Sequence, residues 1–272
     1  MMKREPPVKD SKASFGLWKF LDSSWRLFAT GFSFLVFGLG GLVTSLIIFP
    51  LIFIFVRDLQ SRQLLARKYV GGAFSIFIAL MKGLGGMSYN IEGLEHAGPG
   101  QNRLIIANHP TLIDVVFLVS LFPMADCVVK EGVVRNPFMR GVALPANYIS
   151  SEDPLKLIES CVTRLEAGGS LILFPEGTRS VPGQSLKFKP GAASIAVRAG
   201  SEILPITIQC SQPRLLAKGE PWYRVSPEKP VFSLKIHPAM SLGDLVSSDL
   251  DQRQAGRALN VKLLDFFKDK IT

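Results

Sequence analysis

Residues 27–56 carry no charged side chain. As α-helix they would run for about 45 Å, longer than the ~30 Å of hydrocarbon in a bilayer. Uncharged runs of this length are rare in soluble folds, so the segment predicts contact with a membrane. Gly38, Gly40, Gly41 and Pro50 interrupt the run, which fits either one tilted span or two shorter helices in a re-entrant hairpin. Lys3, Arg4, Lys9, Lys12, Lys19 and Arg26 precede it, and Arg57, Arg62, Arg67 and Lys68 follow it. Basic residues on both flanks give the positive-inside rule no asymmetry and favour the hairpin, with both ends at the cytoplasmic leaflet. The long polar lead argues against a cleaved signal peptide. A second apolar stretch, 70–81, predicts a further helix lying on the surface.

Beyond the glycines at 83, 85 and 86 the pattern changes to alternating strands and helices. Strands are expected at 89–93, 103–107, 127–130, 147–149, 170–174, 203–209 and 231–236. Helices are expected at 111–121, 137–142, 154–167, 190–199 and 252–269. The expected architecture is therefore α/β, a central sheet flanked by helices, carrying an N-terminal hydrophobic membrane-anchoring hairpin. The boundary is placed at 82/83, with 1–82 as anchor and 83–272 as the α/β domain. A formal charge of +9 suits a partner that bears phosphate. No aromatic-bearing RNA-binding strand or recognition helix is present, so nucleic acid is not an expected partner. Cys127, Cys161 and Cys210 are odd in number, scattered and flanked by apolar residues, which predicts buried free thiols and no metal site.

Two polar stretches stand at strand ends, where α/β sheets place their chemistry. The first is Asn108-His109-Pro110-Thr111-Leu112-Ile113-Asp114, between two apolar runs. If the strand ends near Ala107, Asn108 or His109 caps the following helix and Pro110 takes a first-turn position. A first-turn aspartate leans back toward the helix start, where its carboxylate can accept from the imidazole. That pair supplies a general base, His109, with its orienter, Asp114. A cap with a favourably placed acid would use the same residues without chemistry. No serine or cysteine nearby is marked as a nucleophile, so the economical mechanism is direct attack by a substrate hydroxyl.

The second stretch follows the apolar run 170–174 and reads Pro175-Glu176-Gly177-Thr178-Arg179-Ser180. Glycine lets main-chain N–H groups approach an anion, and guanidinium grips phosphate oxygens in a fork. Lys187 and Lys189 add positive charge before the next helix. Glu176 is better suited to orienting local backbone or Arg179 than to reacting.

Asn-His-Pro-Thr-Leu-Ile-Asp resembles the His-x4-Asp block of the glycerolipid acyltransferases, the group that includes 1-acylglycerol-3-phosphate acyltransferase. Phe-Pro-Glu-Gly-Thr-Arg-Ser resembles their phosphate-binding block, and Ile203-Leu204-Pro205-Ile206 their final one. The resemblance implies that His109 is the base and Asp114 its partner, and that the turn from Glu176 to Arg179 holds the acceptor's phosphate. It also implies a fatty acyl donor carried as a thioester on coenzyme A or acyl carrier protein, with no other cofactor. The lipid acceptor would come from the membrane, with the catalytic domain on its cytoplasmic face, the inner membrane in a bacterium. One departure stands out: where the family carries Phe-Ile-x-Arg, this chain has Tyr148-Ile149-Ser150-Ser151, serine in place of arginine. Arg135 and Arg140 lie upstream as candidates to replace it. The departure leaves room for an acceptor other than a phosphoglyceride. Basic charge beside a membrane segment would also suit a non-catalytic protein that binds anionic lipid. Neither motif is needed for that, and nothing in the sequence sets an oligomeric state.

Overall fold

The computed structural model describes residues 11–98, 100–129, 132, 146–150, 152–221, 223–224 and 228–271, the first eight of these as backbone alone. The helix expected at 137–142, together with Arg135, Arg140 and Ser151, lies outside the described residues.

The uncharged run does not fold back on itself. Helix α1 (Ser11–Val43) continues through a π-turn (Thr44–Ile48) into α2 (Phe49–Phe55) without a break. Pro50 explains the turn: it offers no N–H and its ring clashes with the carbonyl one turn back, and the wider π-turn absorbs that conflict. The hairpin is completed by α3 (Leu59–Gly83), which fuses the basic segment and the second apolar stretch into one helix. Asp58 caps it, accepting from Ser61 N–H at 2.7 Å. Along the seam Phe37 packs on Phe77 and Phe74 at centroid distances of 4.8 and 5.6 Å, and Thr44 Oγ1 shares a hydrogen bond with Tyr69 at 3.1 Å. The outward side chains are apolar and bare: Leu35, Leu39, Ile54 and Phe55 are all exposed. Both helical stretches are long and apolar enough to cross a membrane by length and composition.

One six-stranded sheet follows, β1 (Ser88–Glu92), β2 (Arg103–Ala107), β3 (Asp126–Cys127), β4 (Ser170–Leu173), β5 (Glu202–Cys210) and β6 (Val231–Ile236), in the order β1-β6-β5-β2-β4-β3. Every neighbouring pair is parallel except β5 with β6. Strands β3, β4, β2 and β5 therefore share one direction. The expected strand at 147–149 shrinks to a single bridge between Ile149 and Val128.

Beyond Arg103, strand β2 is buried on both faces, hence its unbroken apolar run Leu104-Ile105-Ile106-Ala107. Ile105 and Ala107 face the layer of α3 and α4 (Asp114–Leu121). Leu104 and Ile106 face α5 (Pro154–Glu166), α6 (Gly191–Ala199) and α8 (Gln252–Ile271); a short α7 (Leu242–Leu245) lies between β6 and α8. The first of these cores runs from Val70, Phe74, Phe77 and Met81 on α3 straight into Phe117, Ile172 and Phe232. The boundary expected at 82/83 thus falls within a shared core. Helices α3 and α4 pack so closely at Gly71 that an added Cβ would stand 3.3 Å from the Val119 carbonyl on α4 and 2.5 Å from Pro123 Cβ just beyond it.

Arg67, read above as a membrane-flanking charge, turns inward. Its guanidinium meets the Asp126 carboxylate and donates to the carbonyls of Ala146 (3.0 Å) and Met124 (3.1 Å), tying α3 to the edge strand. Cys127 and Cys161 are buried and Cys210 is half-buried, all three free. Burial pushes the first two thiols up to about 12 and the third to about 11. His237 is structural, buried and bonded through Nε2 to Thr207 Oγ1 at 3.0 Å.

Candidate active site

Neighbouring strands β2 and β4 run parallel, so the stretches that follow them emerge side by side. The His109 ring lies on Phe174, with centroids 4.1 Å apart and planes within 21°. Helix α4 begins later than expected, at Asp114, with Ile113 at the cap position and no side-chain cap. Asn108 does not cap it. Its amide instead reaches across to β5, donating to Ile208 C=O and accepting from Ile208 N–H, each at 2.7 Å. Strand β2 has ended, and the side chain supplies one more rung of the ladder.

His109 Nδ1 stands 2.9 Å from Asp114 Oδ2. The aspartate side chain is fully buried, while 17% of the histidine side chain is exposed. Burial pushes the Asp114 carboxyl above its ordinary value, and hydrogen bonds from His109 and Thr111 oppose that rise. Thr111 gives two of them, its N–H to Oδ2 at 2.6 Å and its hydroxyl to Oδ1 at 2.5 Å. Donors converging on both oxygens mark a carboxylate. A carboxylate only accepts, so Nδ1 carries a proton, and Nε2 is the ring nitrogen left unengaged by Asp114. Among the described residues Nε2 has no partner.

Glu176 braces the two stretches together. Its Oε1 accepts from His109 N–H at 2.8 Å and from Ser180 Oγ at 2.9 Å, and Ser180 N–H donates to His109 C=O at 2.7 Å. Burial raises its carboxyl, countered by the same donors. Gly177 has φ +65°, the left-handed region that glycine enters freely, and it is exposed. The ammonium of Lys189 lies over it, 3.1 Å from where a Cβ would stand. Thr178 is half-exposed beside it, and Lys187 is exposed on the segment leading to α6. Arg179 donates through Nη1 to the carbonyls of Leu216 (2.9 Å) and Ala217 (3.1 Å). The Leu216 carbonyl also accepts from Leu112 N–H at 3.1 Å, so one peptide group ties both stretches to the β5–β6 connection.

The structure thus brings together His109, Asp114, Glu176, Gly177, Arg179 and Lys189. Sequence reasoning missed Thr111, Ser180, Phe174 and the clamp made by Asn108. The spacing Thr-x-x-Asp before an apolar run was a visible signal for the first. Nothing in the local sequence marks Leu216, which acts through its carbonyl. Among the described residues no cluster of His, Cys, Asp and Glu is arranged for a metal ion.

Residues 88–209, which contain both stretches, match the Acyltransferase family. The chain is 32% identical over 126 residues to the chloroplastic 1-acyl-sn-glycerol-3-phosphate acyltransferase LPAT1 of Arabidopsis thaliana, 44% of this chain and 35% of that protein. It is 28% identical over 144 residues to the 1-acyl-sn-glycerol-3-phosphate acyltransferase of Pseudomonas aeruginosa, 50% of this chain and 54% of that protein. The matched region thus spans about a third to a half of these relatives' length. The fold is that of the 1-acyl-sn-glycerophosphate (LPA) acyltransferase PlsC from Thermotoga maritima, with TM-score 0.67 and 19% identity over 90% of this chain and 96% of that one. The histidine and phosphate-type stretches both lie inside the region that matches the Acyltransferase family, in order and in contact.

Proposed function

We propose that this protein is a membrane acyltransferase that moves a fatty acyl group from a thioester to the free hydroxyl of a lysophospholipid such as 1-acylglycerol 3-phosphate. The observation that carries the reading is the His109–Asp114 pair, with its buried carboxylate, its 2.9 Å contact and its unengaged Nε2. The donor is an acyl chain on coenzyme A or acyl carrier protein. His109 Nε2 takes the hydroxyl proton as the acceptor oxygen attacks the thioester carbonyl. The new C–O ester bond forms, the C–S bond breaks, and the proton passes to the departing thiolate. Asp114 holds the ring and stabilises the imidazolium that forms between those steps. His109 N–H is taken by Glu176, so it does not serve the oxyanion. Lys189 and the turn from Gly177 to Arg179 supply positive charge for the acceptor phosphate.

The bare apolar hairpin supports action at a membrane, where such an acceptor resides. Arg67 ties α3 to Asp126, which leaves 59–66 on α3 beyond that tie, about 12 Å of helix against the ~30 Å a span needs. This favours a hairpin seated in one leaflet, with the catalytic layer on the cytoplasmic side where the thioester arrives.

The test is thiol release from an acyl thioester in the presence of lysophosphatidate, for the full chain and for His109→Ala and Asp114→Asn. His109→Ala is expected to lose at least about 100-fold in kcat, in keeping with general-base catalysis. Unchanged turnover in that variant would overturn the reading. Equal turnover with monoacylglycerol would keep the chemistry and remove the phosphate from acceptor recognition.

A further inference from the structure

Thr111 is uncharged and buried, yet both of its polar donors are directed at one carboxylate. The two oxygens of Asp114 are not equivalent. Oδ2 is shared between His109 Nδ1 and Thr111 N–H, whereas Oδ1 accepts only the Thr111 hydroxyl among the described residues.

A purely local role would be helix capping. Thr111-Leu112-Ile113-Asp114 has the capping-box spacing, in which the hydroxyl accepts a main-chain N–H three residues on while the acid reaches back. Only half of that box is made. The acid does reach back, but the hydroxyl bonds the Asp114 carboxylate and leaves the helix start without a side-chain cap. A hydroxyl facing a carboxylate must donate. Its effect therefore falls on the charge and orientation of Asp114.

We propose that Thr111 is a positioning residue for acyl transfer: its hydroxyl fixes the plane of the Asp114 carboxylate, directs Oδ2 to His109 Nδ1, and so keeps Nε2 free to act as base. The proposal rests on the general-base reading given above. A donor on Oδ1 stabilises the deprotonated His109–Asp114 pair more than the protonated pair. Without it the pair takes up its proton at higher pH, and the acid limb of kcat/KM moves upward. Among the described residues, Glu176 and Cys210 are the further titratable groups that feel Asp114. Neither touches Oδ1, so neither replaces the missing donor.

The experiment compares Thr111→Val, which keeps the shape and removes the donor, with Thr111→Ser, which keeps the donor. Both are made in the full chain in detergent micelles. The loss of one hydrogen bond to a charged group corresponds to roughly a tenfold fall in kcat at neutral pH and about one pH unit on the acid limb. KM is expected to change by less than about twofold, because Thr111 does not face substrate. Thr111→Ser should retain the wild-type limb. The chain has three histidines, so the ring nitrogens of His109 can be followed by NMR in a titration that needs no turnover. An upward displacement in Thr111→Val, absent in Thr111→Ser, supports the proposal. A wild-type limb in Thr111→Val, or equal impairment of both variants, overturns it. Should Thr111→Val fail to fold, Thr111→Ala carries the same titration. If His109 moves as expected while the wild-type chain transfers no acyl group, the acyl-transfer reading fails and the positioning role stands.

Discussion

Asn108 offers the sharpest stability test. Its side chain is almost fully buried, and its two 2.7 Å bonds are the partners of Ile208 N–H and C=O where β2 has run out. Asn108→Ala strands both groups, each worth about 1–3 kcal/mol when buried without a partner. The sum, about 2–6 kcal/mol, is an upper range, since water can follow the strand end as it opens. For a chain of this size it corresponds to a fall in Tm of about 2–4 °C per kcal/mol. Asn108→Asp separates the two bonds: the carboxylate still accepts from Ile208 N–H but faces Ile208 C=O with a charge, so it should be no better than alanine. The assay is urea unfolding in micelles, with amide exchange read at Ile208. Because His109 is the next residue, kcat should fall in both variants. A loss below about 0.5 kcal/mol, with Ile208 still protected, would refute the idea that the side chain completes the ladder.

Two further outcomes follow from the buried charges. Among the described residues, Arg67→Ala leaves Asp126 buried beside only the more distant Arg164, at 3.7 Å. It should destabilise by about 3–5 kcal/mol, and Asp126→Asn added to it should recover part of that in a double-mutant cycle. Burial raises the Glu176 carboxyl in the folded chain above its ordinary value, so folding binds that proton more tightly. Its contribution to stability is complete below the ordinary carboxylate value and is lost as pH rises through the raised one. In Tm measured from about pH 4 to 7, Glu176→Gln should therefore gain on the wild type as pH rises, and a constant gap would contradict the sign.

Strands β2 and β6 were legible residue for residue, because a run buried on both faces or alternating cleanly leaves little freedom. His109, Asp114 and the Glu176 turn were legible because polar groups at the end of an apolar run need a reason. The N-terminal hairpin was legible, but its turn was placed inside 27–56 instead of after Phe55. Glycines and a proline imply a break, but a π-turn absorbs the proline while 11–55 stays helical. Arg67 looked like a flank charge because sequence does not show that Asp126, 59 residues later, is buried against it. The Leu216 carbonyl was invisible for a further reason. Main-chain acceptors carry no residue signature, and only the folded β5–β6 connection brings this one to Arg179.

Helix α3 presents Phe74, Phe77 and Ile78 to the apolar core and Ile76 to the outside. Trimming the chain at residue 83 would open the back of the α/β unit and lay bare the support beneath Asp114's own helix. Making a detergent-free form is consequently a problem of recolouring, with Leu35, Leu39, Ile54 and Phe55 exchanged for polar residues while every inward-facing phenylalanine is kept.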